Sequence, residues 1–129
     1  MKKVLLAFSN IFASTNKDSK VQQELKAFAH QRYPDNLQAQ DYIFKKEMSS
    51  YDTMKEVTDI EIKEIAQKQY PSDYAMQEYI YYNQLADKNF MNSIQESPAK
   101  KEAMRRYPKD YSTQKFIYSQ LVKVTKRSA

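Results

Sequence analysis

Glycine is absent from all 129 residues. It ordinarily supplies the positive-φ positions of tight hairpin turns, bulges and phosphate-cradling loops. A chain without it is poorly suited to a sheet-rich fold and to any Gly-rich nucleotide site. Cysteine is absent too, which excludes disulfides, thiol catalysis and thiolate metal ligands. There is no tryptophan, and His30 is the single histidine. The one apolar run, Val4 to Ala13, falls short of the roughly 20 residues that a bilayer-spanning helix needs. The residues that abound (Ala, Leu, Met, Gln, Glu, Lys and Arg) are those with a low cost in a helix. The composition predicts an all-α fold.

Charge of one sign is scarce in two places. Residues 58–96 carry three basic and seven acidic side chains, whereas residues 97–129 carry nine basic and two acidic. Residues 14–57 balance seven against seven. An acidic middle and a basic end can steer an anionic partner toward one end, or can serve only as a solvated surface.

The dipeptide Tyr-Pro recurs at Tyr33-Pro34, Tyr70-Pro71 and Tyr107-Pro108, each 37 residues after the last. The same register aligns Ala29, Ala66 and Ala103, then Asn36, Asp73 and Asp110, then Gln40, Gln77 and Gln114. It continues through Tyr42, Tyr79 and Phe116, Ile43, Ile80 and Ile117, and Phe44, Tyr81 and Tyr118. A period of this length marks a stacked helical repeat. Each unit reads as two helices about the Tyr-Pro, because proline disfavours the α conformation in the residue before it. The Asn or Asp two positions beyond the proline then caps the next helix. Helices are predicted over about 18–33, 36–56, 59–70, 73–95, 98–107 and 110–126, with Ser97 capping and Pro98 opening the fifth. The expectation is three tandem 37-residue helix–turn–helix units, about 18–57, 58–96 and 97–129, forming a short solenoid or helical bundle within one domain, 14–129. The Tyr-Pro-x-Asp-Tyr-x-x-Gln pattern is not that of tetratricopeptide, ankyrin or leucine-rich repeats.

Drawn at 100° per residue, the apolar face of each second helix has a glutamine at its centre: Gln40, Gln77 or Gln114. Such a side chain needs a hydrogen-bond partner, expected to be backbone at the Tyr-Pro turn or in the neighbouring repeat, with a ligand-binding row of glutamines as the alternative. Most of the eleven tyrosines are expected in the core or between units, with Tyr51 and Tyr82 as the exposed contacts.

Residues 1–13, with Lys2 and Lys3 before the apolar run, have the outline of a secretory signal ending at Ala13. The alternative is an N-terminal apolar element packed on the repeats. Cleavage would make the protein secreted or periplasmic, and retention cytoplasmic.

No catalytic constellation emerges. The positions equivalent to His30 hold Gln67 and Met104, and Lys115 stands where Asp41 and Glu78 precede it. Asp59 and Glu61 sit at a helix start, where negative charge is favourable in itself. Neither a metal nor a cofactor is implied. The sequence therefore reads as a non-enzymatic helical-repeat binding or scaffold protein that contacts another protein. The alternative is a nucleic-acid-binding module using residues 100–127. Arg105, Arg106, Lys109, Lys115, Lys123, Lys126 and Arg127 are its candidate anion-binding groups, interleaved with Tyr111 and Phe116. Residues 115–127 could also lie on anionic lipid as an amphipathic helix, but the same apolar residues are needed to close the repeat, so a membrane role is not favoured.

Overall fold

The computed structural model describes the backbone of residues 2–128 and the side chains of residues 17–127. It is all-helical, with no strand among the described residues. The helices are α1 (Lys2–Arg32), α2 (Leu37–Glu56), α3 (Ile60–Gln69), α4 (Tyr74–Ser93), α5 (Pro98–Arg106) and α6 (Tyr111–Ser128). No helix among the described residues is long and apolar enough to cross a membrane. Helix α1 begins well before the expected residue 18, since no proline or glycine interrupts it. The reading of residues 1–13 as a leader falls on side chains outside the described residues.

Helix ends follow from local chemistry. Asn36, Asp59, Asp73, Ser97 and Asp110 each accept the N–H three residues on, at 3.0–3.2 Å, satisfying a donor that the first turn leaves free. The other ends close without the left-handed residue that glycine commonly provides, and no φ is positive among the described residues. Tyr70 (φ −133°, ψ 78°) and Tyr107 (φ −135°, ψ 75°) donate their N–H groups to Ala66 and Ala103 instead. The following proline then bars another helical turn.

The chain divides into two compact units, Met1–Thr53 and Met54–Ala129. In the first, Val21, Leu25 and Ala29 form a buried stripe on α1. Tyr51 is only 6% exposed, and its hydroxyl donates to Asp18 at 3.0 Å. Its expected role as an exposed contact is therefore wrong: a tertiary partner on α1 draws the ring inward.

In the second unit, α4 packs against α3 and α6, and α5 against α6. Met54, Ile62, Ala66 and Tyr81 form the core, flanked by Val57, Ile80, Leu85 and Tyr111. The Asp59 N–H donates to the Tyr81 hydroxyl at 3.1 Å, and Lys88 pairs with the Asp59 carboxylate at 2.9 Å. The Lys88 hydrogen bond holds the Asp59 carboxyl below its ordinary pKa. This pair therefore stabilises the fold above the unfolded carboxyl's pKa, and the contribution is lost as pH falls through the lower folded value. Asp59→Asn keeps a good cap but loses the ion pair. It is expected to melt lower than wild type at pH 7, by about 0.5–1 kcal/mol for this half-buried pair. The two melting curves should converge near pH 2, and a difference that persists there would show that the ion pair is not the cause.

Candidate functional site

The three Tyr-Pro turns share one hydrogen-bond set. Gln40, Gln77 and Gln114 donate their side-chain amides to the carbonyls of Tyr33, Tyr70 and Tyr107, each at 2.6 Å. The same tyrosines donate their N–H groups to Ala29, Ala66 and Ala103 at 3.0–3.2 Å. The small alanines, all buried, leave room for the following helix to approach. Each glutamine thus ties a second helix to the end of the first. Gln77 and Gln114 are fully buried. Gln40 is only half-buried, and Leu37, in the place of Tyr74 and Tyr111, is 79% exposed.

A second polar anchor joins α4 to the start of α6. Gln84, buried, donates to Asp110 at 3.0 Å and accepts from the Tyr111 N–H at 2.8 Å. Ser112 donates to Asp87 at 2.7 Å. Burial raises the Asp110 pKa, but hydrogen bonds from Thr113 and Gln84 outweigh it and leave the carboxyl below its ordinary value. Burial, then the hydrogen bond to Glu61, pushes the Tyr111 phenol up to about 12. The ring stays neutral at physiological pH, with Lys88 5.6 Å above it.

The basic residues of 97–127 do not form one free cluster. Arg105 and Arg106 both pair with Glu102, at 2.6 and 2.9 Å, and these bonds draw its carboxyl down to about 2. Lys115 lies 3.4 Å from Asp87 and over the Phe90 ring at 4.8 Å. Lys109, Lys123, Lys126 and Arg127 are exposed and make no ion pair with the described residues. Glu102, three and four residues before them on α5, holds both arginines, which remain exposed. Among the described residues, no group of three His, Asp or Glu side chains could hold a metal ion.

The exposed aromatics are arranged more regularly. Tyr42, Tyr79 and Phe116 occupy one position 37 residues apart and are 68%, 61% and 59% exposed, while Ile43, Ile80 and Ile117 beside them are half-buried. Of the eleven tyrosines, Tyr51 and Tyr81 are buried, and Tyr70, Tyr74, Tyr111 and Tyr118 are half-buried. Tyr82 is exposed and meets Tyr81 edge-to-face at 5.2 Å.

Against known protein families, curated proteins and solved structures, the chain finds no match.

Two repeated features escaped sequence reasoning. Lysine stands at 26, 63 and 100. Lys100 is buried and bonds Glu96 at 2.7 Å and the Ile94 carbonyl at 3.2 Å, while Lys26 lies over Phe44 at 5.6 Å. Its recurrence every 37 residues was the available signal. Glu47 and Gln84, also 37 residues apart, are both buried, a polar position on a face otherwise read as apolar.

Proposed function

We propose that the chain is a non-enzymatic helical-repeat protein, three tandem 37-residue helix–turn–helix units that act as a scaffold for another protein. The unit is supported by the glutamine-to-tyrosine bond that recurs at one length in each Tyr-Pro turn. The binding role rests on a single observation, the exposed aromatic kept at positions 42, 79 and 116. A ring left mostly in water adds little to folding stability. Aromatic residues are enriched at protein interfaces and dominate their energetics.

Replacing Tyr42, Tyr79 and Phe116 together by Ala is expected to leave stability within about 0.5 kcal/mol per site, yet to abolish retention of a partner that wild type captures from its native cell. Capture of the same partner by the variant would overturn the reading. So would a captured RNA or DNA that is released steeply as salt rises, which would point to Lys109, Lys123, Lys126 and Arg127 instead.

A further inference from the structure

One groove of the second unit plays no part in that observation. Glu61, Glu64, Ile65 and Lys68 of α3 face the turn Arg106–Asp110 across about 500 Å³. Their spacing, i, i+3, i+4 and i+7, puts all four on one face of the helix. From Glu61 to Lys68 is seven residues, about 10 Å along the axis. The acidic end is anchored where Glu61 accepts the Tyr111 hydroxyl, next to Asp110. Lys68 marks the basic end. Ile65 lies between them on α3, and Tyr107 and Pro108 form apolar surface on the turn.

Glu61, Arg106 and Asp110 are engaged, and the other three charges of this groove are left unspent. Glu64 and Lys68 stand at i and i+4 with the glutamate first, the arrangement that favours an ion pair on a helix. Neither makes an ion pair with the described residues, and nor does Lys109. The corresponding face of α1 carries Glu24, Ala27, Phe28 and Gln31. The cation is missing there, and the corresponding face of α5 (Pro98, Lys101, Glu102 and Arg105) has the cation but lacks the apolar residue and both acids at their places, so the full pattern is found on α3.

We propose that this groove holds an extended segment of a partner protein that presents a basic, an apolar and an acidic side chain on alternate residues. The proposal rests on the protein-binding reading above and adds the chemistry of what is bound. In an extended chain, alternate side chains share one face, and four steps cover about 13 Å. The groups it bridges, Glu64 and Lys68, lie four residues or about 6 Å apart along the axis, and the long side chains at both ends take up the rest. The basic side chain meets Glu64, because Glu61 is engaged by Tyr111. The apolar one lies on Ile65 opposite Tyr107 and Pro108, and the acidic one meets Lys68. A polyanion is disfavoured because Glu61, Glu64 and Asp110 offset Lys68, Arg106 and Lys109 in the same lining.

The test is a nuclear magnetic resonance titration of the full chain with capped five-residue peptides. Lys-Ser-Leu-Ser-Glu is expected to shift the Ile65 methyl and Tyr107 ring signals to saturation. Lys-Ser-Leu-Ser-Lys, Glu-Ser-Leu-Ser-Glu and Lys-Ser-Ser-Ser-Glu should each bind at least about tenfold more weakly, a ratio worth about 1.4 kcal/mol. Lys68→Glu, at an exposed site, should switch the preference to the peptide with two lysines. Equal response to all four peptides, an unchanged preference in Lys68→Glu, or shifts of these signals by an RNA oligonucleotide and by no peptide would each overturn the proposal. The two readings fail separately. A silent groove with the Tyr42, Tyr79 and Phe116 effect intact removes only the groove, and saturable peptide binding without that effect removes only the aromatic surface.

Discussion

Gln114→Glu should lower stability by about 3–5 kcal/mol at pH 7, the cost of an uncompensated buried charge, and by much less near pH 4. The side chain is wholly buried, and its amide donates to the Tyr107 carbonyl at 2.6 Å. An ionised carboxylate has no proton to give that carbonyl, and the two oxygens would repel each other. The protonated acid can donate as the amide does. The introduced group's folded pKa must therefore rise above its unfolded value of about 4.3. Below that pH both states are protonated, and the variant approaches wild type. Above it the unfolded chain ionises first and stability falls by about 1.4 kcal/mol per pH unit, until the folded pKa is passed. A penalty near 4 kcal/mol corresponds to about three units, so the loss accrues between roughly pH 4.3 and pH 7 and is then flat. Gln114→Leu is the control. It removes the bond to Tyr107 but also the side-chain oxygen, which is buried and has no partner among the described residues. It is expected to cost about 1–2 kcal/mol without pH dependence. Urea midpoints at pH 4, 5.5, 7 and 8 decide the matter. A pH-independent Gln114→Glu would show that the side chain reaches water.

Prolines and caps were the legible part of this fold because they act within four residues. Tyr70-Pro71 and Tyr107-Pro108 end their helices through restrictions on the tyrosine itself, and Asp73, Ser97 and Asp110 start the next within one turn. The glutamine's partner was legible for the same reason, lying seven residues back on the turn it caps. The start of α1 was not. Ser14, Thr15 and Asn16 look like capping residues, but their helix penalty is a fraction of a kcal/mol each and does not stop a helix already running.

Repetition identified Tyr42, Tyr79 and Phe116 without saying whether they point in or out. The phase does: each is two residues, or about 200°, from the glutamine at the centre of the buried face. Tyr51 needed information from 33 residues away, where Asp18 receives its hydroxyl, and no periodicity carries that. Counting charge by unit also hid the arginines' partner, although Glu102, Arg105 and Arg106 stand at the i, i+3 and i, i+4 spacings at which helical side chains meet.

Ile62→Ala should cost about 3 kcal/mol, within the range of about 2–5 for such a truncation. Ile62 is fully buried in the cluster with Met54, Ala66 and Tyr81. The cost depends on how far these neighbours can fill the space left behind. Ala66 has no reach, and the Tyr81 hydroxyl is tethered by the Asp59 N–H at 3.1 Å, which limits the ring's movement. Both push the cost up. Met54 is unbranched and adapts to irregular gaps, which pulls it back from the upper limit. Against a total stability of about 5–10 kcal/mol for a domain of this size, the loss is large enough to lower the urea midpoint markedly. The slope of the transition should not change, because the surface exposed on unfolding is nearly the same. Ile65, three residues on and half-buried beside the groove, is the internal comparison. Ile65→Ala removes the same atoms from a partly solvated site and should cost about 1 kcal/mol, since less apolar area leaves water there. Equal costs at the two positions would mean that α3 is rotated from the orientation that buries Ile62, and the groove face would have to be redrawn with it.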